Sequence, residues 1–167
     1  MTNNKINDKT KALEKESNIT LISTLVVMCS FFVLLYVQNL MTVDFIRAQG
    51  VLLAVESLYA IAGVAALVVG IVRKQKYFFE YAAFFLIMAV GYYFLKNGAA
   101  GIPGLIRESG NTITVSPLAE KISRIFQSKY IILALWGVNV LYGILTITLH
   151  TAKYTKIKKS KSEKTSI

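Results

Sequence analysis

Glu56 is the residue whose type and setting most suggest chemistry, because it stands in an otherwise uncharged apolar stretch from Val51 to Val72. An acidic side chain at bilayer depth costs roughly 2.5–3.5 kcal/mol on insertion scales unless it is shielded or protonated, so such residues commonly mark proton, ion or ligand sites. Ala60, Gly63, Leu67 and Gly70 follow Glu56 at helical steps of four, three, four and three. Small residues on one stripe let helices approach closely, so Glu56 is expected to point toward a neighbouring helix and not toward lipid. Ala62, Ala66 and Gly70 offer a further small-residue surface for self-association. Asn139 is the second polar residue at depth, about 14 Å along a helix from Tyr130 at the usual rise. Trp136, Tyr142, Gly143 and Thr146 lie on or beside its face. An amide there hydrogen-bonds across to another helix, and tilt would bring it within reach of Glu56.

Other polar groups fall toward the same end as Glu56: Gln38 and Asn39, Ser57 and Tyr59, then Tyr92, Tyr93, Lys96 and Asn97. They suggest a polar pocket that opens outward, with Glu56, Asn139, Tyr59, Tyr92 and Gln38 as its ligand or proton-site candidates. The competing reading is structural. Tyr92 and Tyr93 then belong to an interfacial aromatic belt, Lys96 snorkels, and one hydrogen bond holds Glu56. Glu80 has Lys76 one helical turn before it, and His150 sits where a helix C-terminus favours a cation, so packing and local electrostatics explain both.

The elements that must carry these residues are membrane helices. The chain has 167 residues, of which 54% are hydrophobic and 17% charged. Its mean hydropathy is +0.53. That exceeds what one soluble core of this size absorbs. Apolar stretches over 19–40, 51–72, 77–95 and 130–150 each approach the ~20 residues that cross a hydrocarbon layer ~30 Å thick. None alternates with the two-residue period of a barrel strand, so helices must satisfy the backbone. The expected fold is all-α, a polytopic membrane protein with a four-helix bundle over 19–150.

Orientation follows from Lys and Arg. Thirteen of the nineteen lie at Lys5, Lys9, Lys11, Lys15, Arg73, Lys74, Lys76, Lys153, Lys156, Lys158, Lys159, Lys161 and Lys164, which all fall on one side of a four-span topology. The longer connections of the other side hold Arg47, Lys96, Arg107, Lys121, Arg124 and Lys129. Both ends are therefore expected in the cytoplasm, and the membrane is expected to be the cell's cytoplasmic membrane. The net charge of +10 is explained by this asymmetry, which argues against nucleic-acid binding.

Residues 1–18 form a polar tail, either disordered or loosely helical. The basic tail 151–167 either anchors the last span or binds anionic lipid head groups or an acidic partner. Residues 38–50 form a tight cap between the first two spans. The long connection, 96–129, divides in two: Asn97 to Gly104 is turn chemistry, and Ser116, Pro117 and Glu120 read as the start of an amphipathic helix over 117–127. Leu118, Ile122, Ile125 and Phe126 form its apolar stripe, which suits the membrane surface or a lead-in to the last span.

One cysteine, Cys29, and one histidine, His150, argue against disulfide chemistry, paired haem ligation and zinc binding, so no cofactor or metal is expected. Val26 to Cys29 departs from a lipoprotein cleavage site because Met28 stands where a small residue is required, and the polar lead argues against a signal peptide. No nucleophile and base pair or nucleotide loop is present in sequence, so an enzyme is not expected. Two functions remain: an accessory or interaction subunit of a membrane complex, or small-molecule, lipid or ion binding and transport around Glu56. The second is expected to require self-association along Ala62, Ala66 and Gly70, whereas Ala60, Gly63, Ala66, Gly70 and Gly143 are expected to serve close helix packing.

Overall fold

The computed structural model describes residues 2–102, 106–109, 112–115 and 117–165, and it is all-α apart from one short hairpin. Helix α1 runs Thr2–Val43, α2 Phe45–Arg73 and α3 Lys76–Asn97. The last long helix is α5 (Ser128–Tyr142), continued by a π-helical turn, Gly143–Ile147, and then by α6 (Thr148–Thr165). Four helices are long and apolar enough to cross a membrane, so this is a polytopic α-helical membrane protein.

The helices exceed their apolar stretches in places. At 42 residues α1 is roughly 63 Å long, about twice the hydrocarbon thickness. Of the two expectations for the polar tail, the helical one holds over residues 2–18, and the basic tail is helical through Thr165. Between α1 and α2 only Asp44 leaves the helix. Its extended backbone (φ −146°) and its carboxylate, which accepts from the Arg47 N–H at 3.0 Å, make it the N-cap of α2. The α2–α3 turn is two residues, Lys74 and Gln75, and places Lys74 in the left-handed region at φ 50°.

The chain divides into two compact units, Phe32–Val138 on the one hand and Met1–Phe31 with Asn139–Ile167 on the other. In the first, α2 and α3 form an antiparallel hairpin. Leu52 and Tyr59 of α2 and Met88 and Tyr92 of α3 fill its core, together with Leu34 and Val37 from α1 and Leu135 from α5. Close approach in this unit depends on missing side chains. A Cβ on Gly63 would lie 2.8 Å from Leu86 Cγ, and one on Gly91 would lie 2.3 Å from Leu135 Cδ2.

The connection after α3 begins with Gly98 at φ 56°, then a 3-10 turn, Gly98–Gly101, whose last carbonyl accepts from the Tyr93 hydroxyl at 3.0 Å. Strands β1 (Ile106–Ser109) and β2 (Thr112–Val115) then pair antiparallel, with Ile106 opposite Val115 and Ser109 opposite Thr112. This hairpin adds to the all-helical expectation. Helix α4 follows at Pro117–Ile125, where the sequence predicts an amphipathic helix, and its end docks through Phe126 onto the Phe94 ring, with 4.8 Å between ring centroids. Pro103, Gly104 and the expected cap Ser116 lie outside the described residues, as does the side chain of Leu118.

Candidate functional site

In the unit Phe32–Val138, the antiparallel pairing of α2 and α3 sets Glu56 opposite Lys96 and Tyr59 opposite Tyr92. Lys96 Nζ lies 2.5 Å from Glu56 Oε2, and both side chains are largely shielded, at 17% and 20% exposure. Lys96 thus does more than snorkel: it neutralises the acid that sequence reasoning left without a partner. A hydrogen-bonded ion pair gains strength in a medium of low dielectric, where removal of either member leaves an uncompensated charge.

One helical turn away, the Tyr59 and Tyr92 rings stack at 5.4 Å between centroids. Tyr92 is fully buried, and its hydroxyl has no hydrogen-bond partner among the described residues. A buried donor left unmade costs about 1–3 kcal/mol. Glu56, Lys96, Tyr59 and Tyr92 are the candidate residues brought together here. Gln38 is elsewhere in this unit. It is exposed, and its Oε1 accepts from Trp136 Nε1 at 3.2 Å, which ties α1 to α5. Gly63 and Gly70 are buried in the α2–α3 seam, against Leu86 and Phe78, while Ala60 and Ala66 are half-buried beside it.

The other unit contains a second polar set. Inward residues of α1 recur with heptad spacing: Lys9, Glu16, Ser23 and Ser30 at one position, Leu13, Thr20 and Val27 at the other. They face the last long helix, where Asn139, Thr146 and His150 are buried. His150 Nδ1 lies 3.2 Å from Glu16 Oε2, Lys9 Nζ donates to the Ser160 hydroxyl at 2.8 Å, and a Cβ on Gly143 would touch Val27 at 3.4 Å. Ser23 and Ser30 are fully or almost fully buried. Asn139 belongs to this set, which the Glu16–His150 contact closes about three turns further along the last helix.

Sequence reasoning missed Glu16, Ser23, Ser30 and the role of His150. The signal was available. Glu16 to Ser30 is a seven-residue ladder of small or polar side chains, hidden because its first member lies in a stretch that composition marks as a polar tail. The π turn of Gly143–Ile147 could not be read from composition. It inserts one residue into the seam, so that Tyr142, Thr146 and His150 succeed one another at steps of four.

No known family matches this chain, and neither a curated protein nor a solved structure matches it.

Proposed function

We propose that this protein is a non-enzymatic interaction subunit of a membrane complex, with both ends in the cytoplasm. The observation that carries this reading is the helical extension of residues 2–18 and 151–165. Lys9 and Ser160 join the two helices ten residues beyond the apolar stretches 19–40 and 130–150. Seventeen further residues of helix reach roughly 25 Å past a span, a length that membrane anchoring does not require. The exposed surface of this stalk is basic: among the described residues, Lys11, Lys15, Lys153, Lys156, Lys158 and Lys159 outnumber the exposed acids Asp8 and Glu14. Such a surface suits an acidic partner or the anionic head groups of a cytoplasmic leaflet.

Purification from native membranes after mild crosslinking tests the proposal. A defined partner should accompany the intact chain and be lost when Lys156, Lys158 and Lys159 are changed together to Glu. Recovery of a homodimer alone, unaltered by those changes, overturns it.

A second reading is favoured by the Tyr92 hydroxyl. In it, a small polar ligand or cation enters beside the Glu56–Lys96 pair and takes that hydroxyl as a partner. Uptake or binding that depends on Tyr92 and Glu56 would support this reading, and an effect indifferent to Glu56→Gln would exclude it.

A further inference from the structure

A groove of about 360 Å³ lies between α3, α4 and α5 in the unit Phe32–Val138. That space is enough for a run of methylenes. Val90, Gly91, Ala134 and Leu135 line it from α3 and α5, and Ile125 and Phe126 line it from the end of the amphipathic helix. The lining is almost wholly apolar. Water gains little in such a groove, whereas a hydrocarbon chain fills it without leaving a polar group unpaired.

Cations adjoin this lining. Tyr130 forms part of the wall, and Lys129 Nζ stands 4.9 Å from the centre of its ring. Lys121 is exposed one turn before Ile125. Arg124 is bound to Glu120 at 3.1 Å, so the acid on this helix is already matched and Lys121 and Lys129 remain to attract an anion. An apolar slot with two cations at the level of an interfacial helix complements one occupant: a lipid with an acyl tail and an anionic head.

We infer that this groove holds an acyl chain of an anionic glycerophospholipid from the leaflet on the loop side, with its phosphate between Lys121 and Lys129. The glycine at position 91 lets Leu135 pack into this wall: a Cβ there would lie 2.3 Å from Leu135 Cδ2, so that lining side chain would have to shift. The site is independent of the stalk and of the Glu56–Lys96 pair, so it stands or falls apart from the proposed function.

The test uses the full chain in phosphatidylcholine vesicles doped with phosphatidylglycerol that carries a photoactivatable group on one acyl chain. Crosslinked positions are mapped by peptide mass spectrometry. Labelling is expected to concentrate on Val90, Phe94 and Ala134, to fall with Ala134→Trp, and to be displaced by unlabelled phosphatidylglycerol better than by phosphatidylcholine. Lys129→Gln should reduce that preference by about fivefold. Labelling of exposed α2 residues such as Val64 and Val68 as strong as that of the groove, in the unaltered chain, overturns the inference, a result that needs no variant to fold. Equal displacement by the two lipids overturns it as well.

Discussion

His150 meets Glu16 because the last long helix carries one residue too many for a regular α-helix. Without the π turn at Gly143–Ile147, a step of three from Thr146 would bring Leu149 into the seam with α1. Instead Leu149 is 55% exposed and His150 is 2% exposed, with its Nδ1 3.2 Å from the Glu16 carboxylate. A π turn weakens the regular hydrogen-bond ladder, and such turns persist where they position a side chain. Here that side chain is the only histidine of the chain.

Deletion of Ile144 therefore removes the extra residue, restores a regular helix and leaves everything after it facing as before. His150 should still face Glu16, and the Lys9–Ser160 bond should be kept. Engineered cysteines read this directly. The double variant Glu16→Cys with His150→Cys should form a disulfide on oxidation both in the full-length helix and in the deletion. Crosslinking that is lost after the deletion would show that the π turn does not set the register. Cys29→Ser in the same background keeps the readout clean.

Single and double substitutions separate the members of the Glu56–Lys96 pair. Glu56→Gln or Lys96→Met alone leaves a partly shielded charge without its counter-charge and should cost about 1–3 kcal/mol of stability. The double change Glu56→Met with Lys96→Met removes both charges and should recover most of that loss. A double-mutant cycle in detergent, followed by thermal unfolding, measures the coupling. Additive losses would mean that the two side chains do not act on each other.

Gly63 tests how the α2–α3 hairpin closes. Its Cβ would sit 2.8 Å from two atoms of Leu86 and 3.2 Å from the Leu86 backbone nitrogen, so a rotamer change of Leu86 alone does not clear it. Gly63→Leu should force the helices apart and lengthen the Glu56–Lys96 contact, with a stability loss of about 1–3 kcal/mol from overpacking. Leu86→Ala in the same chain should relieve part of the loss, as judged by melting temperature.

The spans and the amphipathic α4 were legible because apolar length and helical periodicity are strong, local signals. The partner of Glu56 was not. Lys96 is forty positions away, and only the antiparallel register of α2 and α3 shows that it lies opposite. The β-hairpin escapes for a different reason. Thr112 to Val115 is a β-branched run after Gly110 and Asn111, a short hairpin signal overshadowed by the long apolar spans on either side. Composition marks the stalk only as a polar tail, because composition reports solubility. Its helicity is stabilised by pairing between residues near opposite ends of the sequence, as at Lys9 and Ser160.

Tyr92→Phe is the substitution on which the two functional readings diverge. The hydroxyl is buried and has no partner among the described residues, so in a purely structural role its removal relieves about 1–3 kcal/mol of desolvation cost and leaves the ring contact with Tyr59 in place. An interaction subunit with this change should melt a few degrees higher and recover its partner undiminished. A ligand site should respond in the opposite sense, because the variant loses the group that would hydrogen-bond the ligand. Stability that rises while partner recovery stays constant supports the interaction subunit. A variant that is stabilised but loses uptake or binding of a small solute moves the function to the Glu56–Lys96 site.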